Sequence, residues 1–216
     1  MTIRATICLF LAISLGALSA EAKLALVVLD PGHGGDKNKG APALMRPGTF
    51  EKHYSLPLSH IVRQHLEAAG VKVVLTRTED VELGLRKRVD IANRLGANAL
   101  ISLHLNSTEV PGPAGHASFF LATKSSDEAT RRLVEFENRE TTTLKRAAKT
   151  APKTSAVSNI LLDLTRHRAQ ADSQRLAELI QERMAKASPF PNRGVKQAPF
   201  AVLKGTSMAA VVCEIG

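Results

Sequence analysis

His33 stands in the stretch LDPGHGG, residues 29–35, one imidazole among three glycines at the end of an apolar run. Glu51 follows after a long loop, His104 closes the run ALISLHL, and Glu214 closes AAVVCE. Two imidazoles and a carboxylate, His33, His104 and Glu51, suit a catalytic zinc whose fourth position is left to water. Their separations in the chain are long, unlike H-E-x-x-H, where spacing alone puts two imidazoles on one helical face. Spacing therefore leaves two readings open, a metal centre and ordinary packed or surface residues.

The glycines of LDPGHGG first suggest a phosphate cradle. Neither G-x-x-x-x-G-K-[ST] nor a helix-opening G-x-G-x-x-G is present, so the loop reads as a sharp turn that holds His33 out. His53, His60, His65 and His167 fall on or beside expected helices and His116 opens an expected strand; all five read as solvated or core-edge residues, with His53 the rival ligand to Glu51. Cys213 lies in an apolar run and reads as inert packing.

The elements that must position these groups alternate. Strands are expected at 24–29, 71–76 and 99–105, each a β-rich apolar run. Between them, Leu58, Ile61, Val62, Leu66 and Ala69 recur at helical spacing up to Gly70, and Leu85, Val89, Ala92 and Leu95 form a second helical stripe. Leu176, Leu179, Ile180 and Met184 mark a later helix over 172–187, and FAVL (200–203) and 209–215 read as closing strands. Pro57 is tolerable only in the first turn of its helix. The expected fold is a single α/β domain, a mostly parallel twisted sheet of about six strands with helices on both faces. In such sheets ligands gather outside the carboxyl ends of the strands, which is where His33, His104 and Glu214 fall.

Of the 216 residues, 44% are hydrophobic and 23% charged, the composition of a globular protein. Residues 1–22 have an early arginine, an apolar core from Ile7 to Leu18 and the small-x-small site Ala20-Glu21-Ala22, the layout of a signal peptide. The expected mature domain is 23–216, exported to a periplasm or cell wall, with no transmembrane segment. A net charge of +9 calls for an anionic partner. Export and the near absence of stacking aromatics argue against nucleic acid and for an acidic envelope polymer. Residues 125–158 are charged, threonine-rich and weakly apolar, and read as an inserted, partly helical segment.

Taken in order, LDPGHGG, the Glu51-Lys52 pair, TRTED, LRKRVDIANRLGANALISLHLNS, LLDLTRHRAQADSQRLAELI, RGVKQAPFAVLK and VVCEIG resemble the zinc-dependent N-acetylmuramoyl-L-alanine amidases of the amidase-3 type. The resemblance covers nearly all of 23–216. It implies that His33, Glu51 and His104 bind Zn2+ and that Glu214 is the catalytic acid/base. The implied substrate is peptidoglycan, cut between the lactyl group of N-acetylmuramic acid and L-alanine.

Some members carry a helix over the site until an activator protein displaces it. Here the matching segment is roughly 127–148, with Glu135, Glu137 or Glu140 as the acidic residue reaching the metal; the competing reading is a plain surface helix. Members also continue through a loop and a last helix beyond the final glutamate-isoleucine-glycine, so the resemblance implies a longer chain or a less covered sheet face. Two further function classes compete: a catalytically idle wall-binding module, which would not need Glu214, and a zinc peptidase acting within the stem peptide.

Overall fold

A computed structural model describes residues 25–43, 46–105, 115–139 and 156–215, without the side chains of 156–164 and 166. The expected signal peptide and much of the inserted segment, Glu140 included, lie outside the described residues. The elements are β1 (Leu26–Pro31), α1 (Lys52–Ala68), β2 (Lys72–Leu75), α2 (Leu85–Leu95), β3 (Ala99–His104), β4 (His116–Leu121), α3 (Glu128–Glu137), α4 (Ala156–Ala187), β5 (Asn192–Ala198), a 3-10 turn (Ala201–Leu203) and β6 (Ala209–Glu214).

The six strands form one sheet in the order β2-β1-β3-β6-β4-β5. β2, β1, β3 and β6 run parallel, whereas β4 is antiparallel to β6 and carries β5 parallel to itself. Side chains alternate between faces with a period of two. One face buries Leu29, Val73 and Leu75 against Leu56, Val62 and Leu66 of α1, and Leu103, Val211 and Cys213 against Leu176, Ala177 and Ile180 of α4. The other buries Val28, Leu100 and Val212 under Leu85 and Ala92 of α2, Val134 of α3 and Phe200, Val202 and Leu203. By the same alternation Asp30, Ser102, His104 and Glu214 belong to this second face, at the carboxyl ends of their strands.

Five expectations are corrected. FAVL is a 3-10 turn whose Phe200, Val202 and Leu203 plug the second face, and the strand lies upstream in the polar NRGVKQA, a half-exposed sheet edge. The stripe of α1 runs through the buried Lys52, Ser55 and Ser59, leaving Ile61 exposed, because small side chains let the helix approach the LDPGHGG loop. Leu95 and Leu179, expected on the apolar stripes of α2 and α4, are also exposed. Pro57 is the sixth residue of α1 and not in its first turn; its ring faces solvent, and the helix runs on. His116 is also no edge residue: it is fully buried, its Nδ1 2.7 Å from Gln181 Oε1 of α4.

Candidate metal centre

The loop after β1 carries His33 in an unusual backbone. His33 has φ +59°, the only non-glycine residue with positive φ among those described, and Gly34 and Gly35 follow at +132° and +73°. Such a path leaves carbonyls turned inward, and each has a donor. Pro31 O accepts from Arg77 Nε (3.1 Å) and Arg88 Nη1 (2.7 Å), Gly32 O from Ser55 Oγ (2.7 Å) and Arg77 Nη2 (2.9 Å), and His33 O from Arg88 Nη2 (2.9 Å). Lys52 Nζ donates to Gly35 O (3.0 Å) and pairs with Asp80 (2.6 Å), whose other oxygen takes the Gly35 amide. Gly32 is a glycine because the His104 ring lies against it: a Cβ there would be 2.6 Å from Cε1.

Glu51 caps the start of α1, and its carboxylate is held from two sides. Leu105 N donates to Oε1 (2.9 Å) and Ala41 N to Oε2 (3.3 Å). His104 and Glu214 are register partners at the ends of β3 and β6. His33 Nδ1 donates to Asn38 Oδ1 (2.8 Å), which turns Nε2 toward the carboxylates.

These placements converge. His33 Nε2 lies 2.9 Å from Glu51 Oε2, and His104 Nδ1 lies 3.1 Å from Glu51 Oε1. Glu137, from the end of α3, brings Oε2 to 3.5 Å from His33 Nε2 and 3.2 Å from His104 Nδ1. One ligand atom from each of His33, Glu51, His104 and Glu137 lies within 4.8 Å of the others, all four residues buried. Neither imidazole nitrogen has a hydrogen bond of good geometry, and Glu214 Oε1 also lacks one. Two buried carboxylates aimed at two unsatisfied nitrogens are a donor set for a cation, and N/O donors suit zinc among others.

The electrostatics describe the same strain. Burial works against charge on His104, but Glu137 and Glu51 push its imidazole up to about 10, and His33 is raised in the same way. Burial is outweighed at Glu51, where both imidazoles hold the carboxyl well below its ordinary range. At Glu137 and Glu214 burial dominates and raises both, Glu214 most. Glu214 is buried beside the cluster without belonging to it.

Of the three acidic residues named from the insert, Glu137 reaches the cluster. Glu135 is exposed and pairs with Arg131, and Glu140 lies outside the described residues. The pattern that separates Glu137 from Glu135 is helical: the buried positions of α3 are Thr130, Val134 and Glu137. His53 is exposed and accepts from Phe50 N, outside the cluster. Cys213 is buried, its thiol pushed up to about 12. Sequence reasoning passed over Asn38, Arg77 and Arg88. Arg88 had a signal, since it sits three after Leu85 and four before Ala92, on the apolar stripe itself.

The profile of a family described as N-acetylmuramoyl-L-alanine amidase matches residues 27–216. N-acetylmuramoyl-L-alanine amidase AmiA of Escherichia coli (strain K12) is 33% identical over 190 residues, which cover 88% of this chain and 64% of that protein. The chain thus spans less than two thirds of that relative's length. The solved N-acetylmuramoyl-L-alanine amidase AmiC2 of Nostoc punctiforme is 29% identical with a TM-score of 0.61, over 88% of this chain and 78% of that one. The CwlD amidase of Clostridioides difficile, solved in complex with the GerS lipoprotein, shares the fold at 24% identity and a TM-score of 0.59, over 89% and 82%.

Proposed function

The chain belongs to the amidase-3 family of N-acetylmuramoyl-L-alanine amidases, and from that premise we propose that it is an exported zinc hydrolase. It cleaves peptidoglycan at the amide joining N-acetylmuramic acid to L-alanine. The observation that carries this reading is the convergence of His33 Nε2, His104 Nδ1 and the Glu51 carboxylate in one buried cluster, with the Glu214 carboxyl beside it.

His33, Glu51 and His104 would hold the zinc. When bound there, zinc polarises the scissile carbonyl and makes a water acidic enough to attack near neutral pH. Glu214 takes the proton of the attacking water and hands it to the departing amine nitrogen, which is a very poor leaving group as an anion. Its burial suits a carboxyl that must carry a proton between two sites. Asn38 fixes the tautomer of His33, as acceptors behind metal-bound histidines do. Glu137 would offer a fourth donor to the same ion in competition with water, which would hold the enzyme inactive until α3 moves, and an activator protein is the natural cause of that movement. The net charge of +9 favours an acidic wall polymer over a neutral one.

The test incubates purified protein with peptidoglycan, with and without chelator, and identifies the ends released. Free L-alanine amino termini that vanish with chelator and in Glu214→Ala are expected. New termini inside the stem peptide would make it a peptidase instead, and wall binding without release would reduce it to a binding module. The Glu137→Ala protein is assayed alongside, with activity above the parent expected.

A further inference from the structure

Helix α3 is fastened at both ends, and both fastenings use one short piece of chain. At its start, Asp127 accepts the Thr130 amide on Oδ1 (2.7 Å) and Lys196 Nζ on Oδ2 (2.7 Å). Ser126 beside it makes a two-way bond with Gln197: its amide donates to Gln197 O (3.0 Å), and its Oγ accepts from Gln197 N (2.8 Å). At its end, Asn138 reaches across to the chain after β5. Its Nδ2 donates to Pro199 O (3.0 Å), and its Oδ1 accepts from Ala201 N (2.7 Å). The amide side chain thus reads one carbonyl and one N–H two residues apart, a pairing that fixes both position and orientation.

Asn138 is also the residue next to Glu137, and little else of α3 is buried. Thr130 and Val134 are its other buried positions, while Glu128, Arg131, Arg132 and Glu135 pair among themselves in solvent. Exposed pairs of that kind contribute little to holding a helix down. What keeps Glu137 in the cluster is therefore the packing of Val134, the half-buried Leu133 and the Phe136 ring edge-on to His33, together with the fastenings on 196–201.

We propose that Asn138 is a latch: its paired hydrogen bonds to Pro199 and Ala201 hold Glu137 over His33 and His104, and opening them lets α3 swing on Asp127 and Lys196 and clears the site. This rests on the reading of Glu137 as the blocking ligand. The segment 196–201 is then the regulatory counterpart of α3, and whatever activates the enzyme must break its contact with Asn138.

The test compares the zinc-loaded full chain with Asn138→Asp, Asn138→Ala, Glu137→Ala and the double variant Glu137→Ala/Asn138→Ala. Asn138→Asp keeps an acceptor for Ala201 N but loses the donor to Pro199 O. Dye release from labelled peptidoglycan is read beside native hydrogen exchange of the amides in α3 and α2. Activity is expected to rise about tenfold in Asn138→Ala, the population shift set by two lost hydrogen bonds, and less in Asn138→Asp. The α3 amides should exchange faster while those of α2 do not, which shows that the fold persists. The double variant should be no more active than Glu137→Ala, since both changes open the same block. If Glu137→Ala is activated while the Asn138 variants stay at the parent rate, the latch is wrong and the blocking ligand stands. If Glu137→Ala is not activated, the blocking reading falls and takes the latch with it.

Discussion

At the scale of single residues, the acceptor behind His33 is as informative as the imidazole. Asn38 Oδ1 takes the proton of Nδ1, so Nε2 is left to face the carboxylates, and the Asn38 carbonyl takes the Gly34 amide at 2.8 Å. One residue thus sets both the tautomer of His33 and the loop that bears it. Removing such a partner weakens metal binding about 10–100-fold. Asn38→Ala should lose zinc affinity by that order in competition with a coloured chelator, and Asn38→Asp, which keeps the acceptor, should retain it. Equal affinities in Asn38→Ala and the parent would show that the ring is oriented by packing alone. Glycine matters here through closeness: at Gly40 a Cβ would lie 2.6 Å from both Glu51 Cβ and His33 Cδ2, so this loop can pass between the two only as glycine.

At the scale of elements, α2 is tied to the site by one buried side chain. Arg88 donates to Asp30 Oδ1 (2.8 Å), to Leu83 O (2.8 Å) and to two carbonyls of the His33 loop. Asp30 is completed by Thr76 Oγ1 (2.5 Å) and Ser102 Oγ (2.7 Å), and burial, which would raise its carboxyl, is outweighed by Arg88, Ser102 and Thr76. Removing one member of a buried pair leaves the other charge uncompensated and costs about 3–5 kcal/mol. Arg88→Met should lose that much in urea unfolding. A lowered acid contributes stability above its unfolded value and loses it as pH falls through the folded one, so the loss should shrink below about pH 3.8. A loss that stays constant into acid would mean that Arg88 acts through the loop carbonyls and not through Asp30.

The same helix shows what sequence could and could not convey. Strands β1, β2, β3 and β6 were legible because a strand covered on both faces is a continuous apolar run. β5 was not, because its residues are mostly half-exposed and include the polar Arg193, Lys196 and Gln197, whereas β2, the other edge strand, buries Val73 and Leu75. FAVL carried the strand signal instead, since a buried 3-10 turn and a buried strand are equally apolar over so few residues. At the site, the resemblance pointed to His33, Glu51 and His104 as the proposed ligands and named three acidic residues of the insert. Which of them meets the imidazoles depended on the phase of α3, and Asn38, Arg77 and Arg88 act through backbone carbonyls whose directions no side-chain pattern encodes.

At the scale of the whole molecule, a metal bound at the cluster would be coupled to stability. Without a metal, His33 and His104 are raised above their ordinary value, His104 to about 10, and the carboxyls of Glu137 and Glu214 are raised as well. In each case the folded protein binds protons that the unfolded chain releases first. The stability linked to the imidazoles is therefore complete below pH 6.5 and is lost as pH rises toward 10. Glu137 and Glu214 act in the same direction from a lower starting pH. A bound metal takes the place of the protons on the imidazoles, so the loaded protein is spared most of that loss. The prediction is a thermal shift that depends on pH at one fixed zinc concentration: where that concentration is 100 times the dissociation constant at pH 9 it adds about 2.7 kcal/mol, and the rise in Tm should be smaller at pH 6, where protons compete for the imidazoles. Glu51→Gln should flatten the response at both values, because it removes the carboxylate that both imidazoles face. A zinc shift that is equal at the two pH values in the parent protein would mean that the imidazoles are not protonated in the metal-free fold.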